Sequence, residues 1–126
     1  MAAGAVDVTV TATPDEVWAK VGDFGGVGEF FPGIESCRLE GEDRVIGLFG
    51  MEIRERLLAR DDESRTLTYS VVAGVPVDSH TATVSVEPDG TGSRIIWAYD
   101  VTPDEMAPVF GDSYQAALNS LESTLS

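Results

Sequence analysis

At 126 residues the chain has the length of one domain, and residues 1–126 are expected to form that single domain. With 43% hydrophobic and 24% charged residues it is not a disordered tail, and no apolar run approaches the roughly 20 residues that span a bilayer. A formal charge of −14, with Lys20 the only lysine beside seven arginines, repels phosphate backbones and argues against nucleic acid as a partner.

The first residues, MAAGAVDVTV, have neither a basic n-region nor a long apolar core, so no secretory signal is read there and a cytoplasmic location is expected. Cys37 stands alone, which excludes an internal disulfide and any multi-cysteine metal site. His80 is the only histidine and no carboxylates cluster at ligand spacing, so neither metal nor cofactor is expected. The acids are scattered along the chain, as solubility requires. A ligand-free module that meets a basic partner through this acidic surface stays as an alternative, and homodimer formation is left open.

From Ala5 to Ala12 the pattern AVDVTVTA alternates, with Val6, Val8 and Val10 on one face and Asp7, Thr9 and Thr11 on the other, which predicts a half-buried strand. At TPDE, Thr13 can cap a helix, Pro14 suits its first turn and Glu16 can close a capping box; a short helix follows, carrying Val17, Trp18 and Val21. Beyond Gly22 comes FGGVGEFFPGIES, Phe24 to Ser36. As a phosphate loop it lacks a preceding strand and a following lysine, and Asp23 and Glu29 add negative charge. Its glycines read instead as hinges between two short helical pieces.

Strand-like segments then succeed one another at about 34–40, 44–49, 51–59, 65–73, 79–87 and 93–101, and their short connections, such as Phe-Gly and Pro-Asp-Gly-Thr-Gly, imply an antiparallel meander. The period of two places Met51, Ile53, Glu55 and Leu57 on one side, with Leu67, Tyr69 and Val71, His80, Ala82, Val84 and Val86, and Ile95, Trp97, Tyr99 and Val101 as the matching sets. The opposite side carries Arg54, Arg56, Thr68, Ser70, Thr81, Thr83 and Ser85 and is wet. Met106, Phe110, Tyr114, Leu118, Leu121 and Leu125 recur at helical spacing, so a helix of about 15–20 residues covers the apolar side. TPDE recurs at Thr102 to Glu105, but Pro108 breaks a helix begun that early, so either a short turn precedes the helix or it starts near Pro108.

A strand, two short helices, six antiparallel strands and a long C-terminal helix form an α+β chain. In TPDEVWAKVGDFGGVGEFFPGIESC, ERLLARDDESRTLTYSV and GVPVDSHTATVSVEPDGTGSRIIWAYDV the sequence resembles the START-like (SRPBCC) superfamily, in its polyketide cyclase/dehydrase and lipid-transport branch. That resemblance implies the helix-grip fold of the birch-pollen allergen: a seven-stranded curved antiparallel sheet around the long helix, with a cavity between them reached near the short helices and hairpin tips. It also implies two alternative functions. One is binding of a hydrophobic small molecule of lipid, polyketide or isoprenoid type; the other is a polyketide cyclase/dehydratase reaction.

Candidate contacts follow by position. Phe30 or Phe31 is expected to reach the cavity and Phe24 to be structural; Met51, Ile53, Val71, Trp97, Met106 and Phe110 supply apolar lining, with plain core packing as the alternative. Tyr69, Tyr99 and Tyr114 carry phenols that seek partners in a dry site. Glu55, if it points inward, must be neutralised or paired, and Arg60, Arg65 or a polar ligand group could serve. His80 is a candidate proton acceptor for cyclase chemistry, against the plainer role of a strand-end imidazole bonded to backbone or water. Its sequence neighbour Ser79 points to the other face, which disfavours a serine triad.

Overall fold

A computed structural model describes residues 2–126. Strand β1 (Ala2–Val10) leads to helix α1 (Pro14–Val21), a 3-10 helix (Phe24–Glu29), strands β2 (Ile34–Glu40), β3 (Asp43–Leu48), β4 (Met51–Asp61), β5 (Thr66–Ala73), β6 (Ser79–Asp89) and β7 (Gly92–Thr102), a 3-10 turn (Asp104–Met106) and helix α2 (Ala107–Leu125). The strands form one antiparallel sheet in the order β1-β7-β6-β5-β4-β3-β2, which curves around α2. This is the helix-grip fold. No helix of the described residues is long and apolar enough to cross a membrane.

β1 begins and ends earlier than its local alternation predicts, because Ala2–Gly4 pair with Val101–Tyr99 of the distant β7. The residues after Val10 turn instead into the α1 cap. There Thr13 Oγ1 accepts the Glu16 N–H at 3.3 Å, and the Glu16 carboxylate accepts from the Thr13 hydroxyl at 2.9 Å and from its N–H at 3.4 Å. The second TPDE makes no such cap. Asp104–Met106 form a 3-10 turn and α2 starts at Ala107, so Pro108 sits in the first turn, where its missing N–H costs nothing.

The glycines of FGGVGE are not hinges between helical pieces; they are the second piece. None has a positive φ, and what they permit is close approach. A Cβ on Gly26 would lie 2.6 Å from the Asp23 carboxylate, and one on Gly25 or Gly28 would crowd Leu39 or Ile34 of β2 at 3.2 Å.

Three irregularities lie along β5. Between β4 and β5 the register shifts at Arg54/Glu55, leaving Val72 unmatched on β5, and again at Leu57/Ala59, leaving Leu58 unmatched on β4. Both are bulges, and both extra side chains are exposed. The third is an early end to the β5–β6 ladder, which stops at Tyr69↔Ala82. Continued, it would set Val71 opposite His80. There the His80 side chain replaces the backbone partner: its Nδ1 accepts the Val71 N–H at 3.1 Å, while the Ser70 hydroxyl donates to the His80 carbonyl.

Candidate ligand cavity

Between the sheet and α2 lies a cavity of about 150 Å³, walled by Val27 of the 3-10 helix, Phe31 and Ile34 after it, β3 to β5, Val75 and the first turns of α2. From β3 come Arg44, Ile46 and Leu48, from β4 Met51, Ile53 and Glu55, from β5 Tyr69 and Val71, and from α2 Val109, Phe110, Ser113 and Tyr114. The wall is apolar except for Ser113 and for one cluster, where Arg44, Glu55 and two phenols converge. Phe31, Leu48 and Ser113 also line an outer groove of about 280 Å³ with Pro32, Phe49 and Ala116, so the mouth lies between the β3–β4 hairpin tip and α2.

The two adjacent phenylalanines part company. Phe31 stands edge-on to Trp97 at 6.0 Å and to Tyr114 at 6.4 Å, on the cavity wall. Phe30 is buried against the core at a separate small void that Trp97 shares. At the mouth Phe49 is 77% exposed with φ 50°, followed by Gly50 at φ 76°. A two-residue turn with both φ positive normally uses Asn-Gly, so a phenylalanine in its first position is strained.

Glu55 does point inward, but neither arginine named from the sequence reaches it. Arg60 pairs with Asp62 and lies over Trp18, and Arg65 pairs with Asp15. The partner is Arg44, directly opposite on β3, whose Nε and Nη2 both reach Glu55 Oε1 at 2.7 Å. Its Nη1 donates to the Phe24 carbonyl at 3.0 Å, and its guanidinium lies 4.1 Å from the Phe24 ring centre and 4.7 Å from that of Tyr69. Phe24 therefore anchors the arginine. The signal was present: a two-residue turn at Phe49-Gly50 pairs Leu48 with Met51, and the same register sets Arg44 against Glu55.

His80 sits one layer behind the wall. Its Nε2 is 2.9 Å from the Tyr114 hydroxyl, its ring lies 4.6 Å from that of Phe110, and only 3% of the residue is exposed. Burial pushes its pKa down to about 4, so the imidazole is neutral at pH 7. With Nδ1 taken by Val71 and Nε2 by Tyr114, neither nitrogen faces the cavity. Trp97 is stacked on Tyr114 at 4.3 Å and donates its indole N–H to the Tyr69 hydroxyl at 3.1 Å. Tyr99 packs against Tyr114 and under Gly4 and Gly111, and Met106 packs on the core; neither is on the wall. Burial, and secondarily the Glu55 charge, raises the Tyr69 phenol well above its usual value, and burial raises Tyr114 likewise. Both stay protonated.

Over residues 1–126 the sequence matches the family described as polyketide cyclase / dehydrase and lipid transport. The chain belongs to that family. No curated protein matches it. Among solved structures, the chain is similar to protein XoxI from Bacillus cereus, at 26% identity and a TM-score of 0.94 over 99% of this chain and 96% of that one. Ginseng major latex-like protein 151 from Panax ginseng (19%, TM-score 0.82, 98% and 97% covered) and Ara h 8.0201 (17%, TM-score 0.80, 98% and 97% covered) share the fold. Wall residues that the sequence did not single out for the site are Val27, Arg44, Ile46, Leu48, Val75, Val109 and Ser113. Four of them, Arg44, Ile46 and Leu48 on β3 and Val75 in the loop after β5, lie where the sequence shows no alternation of apolar and polar residues.

Proposed function

We propose that this protein binds an apolar small molecule of lipid, polyketide or isoprenoid type in the cavity between sheet and α2. One observation carries the reading: the void is about 150 Å³ and is walled mainly by aliphatic and aromatic side chains, with Arg44 and Glu55 paired to one another at the phenols. A void of that scale lined by Leu, Ile and Phe stays dry and takes up a benzene-sized guest. Burial of apolar ligand area supplies the affinity, at roughly 25 cal/mol per Å², and the polar cluster orients the guest. Family membership supports the same reading.

Native mass spectrometry of freshly purified protein tests it. A co-purifying apolar molecule is expected in the wild type and lost in Ser113→Phe, which plugs the passage between cavity and outer groove. Equal retention by a folded Ser113→Phe variant would place the ligand elsewhere.

The wall also favours a second reading, a proton-transfer reaction of cyclase or dehydratase type. Arg44 engages only Oε1 of Glu55, which leaves Oε2 at the wall as a base. In that reading Glu55 acts rather than His80, whose nitrogens are both occupied, while the phenols hold a substrate oxygen. Loss of turnover in Glu55→Gln with unchanged ligand binding separates the enzyme from the carrier.

A further inference from the structure

Hydrogen bonds behind the cavity do not balance. The Val71 N–H occupies His80 Nδ1, so the neutral imidazole carries its proton on Nε2 and donates it to the Tyr114 hydroxyl. The Trp97 indole N–H donates to the Tyr69 hydroxyl. Each phenol oxygen has thus received a hydrogen bond, and each still has a hydrogen to give. The two hydroxyls interact with one another, which uses at most one of those hydrogens. At least one phenol hydrogen therefore has no acceptor among the described residues. Both rings are buried and both belong to the cavity wall, where an unmade hydrogen bond is costly.

We propose, resting on the reading that the cavity holds an apolar guest, that the guest is a neutral molecule whose oxygen accepts a hydrogen bond from the Tyr69 or Tyr114 hydroxyl: an alcohol, ether or ketone, and not a carboxylate. Acids are disfavoured because Arg44, the one cation among the described residues of the wall, is already neutralised by Glu55, and Glu55 is itself part of the wall. A carboxylate would enter a dry site with no spare positive charge and a like charge beside it. Glu55 ranks the neutral guests as well. Its Oε2, which Arg44 leaves without a bond, can receive the hydrogen of an alcohol but gains nothing from an ether.

Four one-ring probes of matched shape test the proposal by calorimetric titration near pH 7.5: p-cresol, 4-methylanisole, p-xylene and p-toluate. p-Xylene is the most hydrophobic of them, so apolar burial alone predicts that it binds tightest. The proposal predicts p-cresol tightest, about tenfold above p-xylene, with 4-methylanisole between and p-toluate weakest. In Glu55→Gln the unpaired Arg44 should make p-toluate gain relative to p-cresol. Equal or tighter binding of p-xylene, or p-toluate matching p-cresol in the wild type, overturns the proposal while leaving the apolar cavity standing. Failure of all four to bind overturns both.

Discussion

Acidification from neutrality to about pH 5 should weaken the fold through His80. The usual histidine value is about 6.5, and burial lowers it here to about 4. Above pH 6.5 folded and unfolded chains both hold a neutral imidazole, so its contribution is fully present. Below that, the unfolded chain takes up a proton that the folded chain refuses, and stability falls by about 1.4 kcal/mol per pH unit. Roughly 2 kcal/mol is lost by about pH 5, and roughly 3 kcal/mol once the pH has passed through the folded value of about 4. The rings packed on His80 are Tyr69, Phe110 and Tyr114, and none supplies an anion to hold an imidazolium. Urea unfolding followed through Trp fluorescence at several pH values measures this loss. His80→Asn is the control, since its side-chain oxygen can still receive the Val71 N–H but does not titrate. Subtracting the two curves cancels the carboxylates. The stability gap between wild type and variant should narrow as the pH falls from about 6.5 to 5. Parallel curves, or an imidazole titrating near 6.5 by NMR, would refute the assignment of a buried, neutral His80.

Phe30→Ala and Phe31→Ala should differ in kind. The first removes a buried core ring and should cost about 3 kcal/mol of unfolding free energy, whereas the second, at the half-buried wall, should cost about 1 kcal/mol and speed probe release in stopped-flow displacement. Arg44→Met should destabilise by about 3–5 kcal/mol because it strands the Glu55 carboxylate, and the double variant Arg44→Met with Glu55→Leu should recover most of that in urea melts. A double variant as unstable as the single one would mean that the pair's packing, and not its charge, holds this end of the cavity.

Much of the fold was legible because it rests on short-range rules. The alternation in β4 to β7, the turn residues between them and the spacing of Phe110, Tyr114, Leu118 and Leu121 each report one face of one element. The inward direction of Glu55, Tyr69 and His80 followed from the same parity. What lay outside its reach were distances between elements. Parity puts Tyr99 and Tyr69 on one side of the sheet alike, yet Tyr99 lies beneath the Gly4 and Gly111 backbones while Tyr69 lies on the cavity. β3 gave no periodic signal because Asp43, Arg44, Val45 and Ile46 are all buried. Asp43 pairs with Arg54 and Arg56 on the outer face while Arg44 pairs with Glu55 on the inner one. The bulges at Val72 and Leu58 were silent too, since an apolar residue at a bulge looks like any other strand residue.

The position of His80 links the irregular sheet to the chemistry of the cavity. Because the β5–β6 ladder stops at Tyr69↔Ala82, the Val71 N–H needs another acceptor, and only an inward side chain opposite it can supply one. Histidine meets that need with Nδ1 and, being neutral, must then pass its own proton onward from Nε2. Tyr114 receives it and is left with a hydrogen to place, as is Tyr69 after accepting from Trp97. A surplus donor at the cavity wall is thus the consequence of a missing backbone pair between β5 and β6. A catalytic base would need a nitrogen lone pair facing the cavity, and this arrangement instead turns the only histidine into the source of a hydrogen-bond donor there. Replacing His80 should accordingly alter the ranking of oxygenated over hydrocarbon guests more than it alters the uptake of hydrocarbon itself.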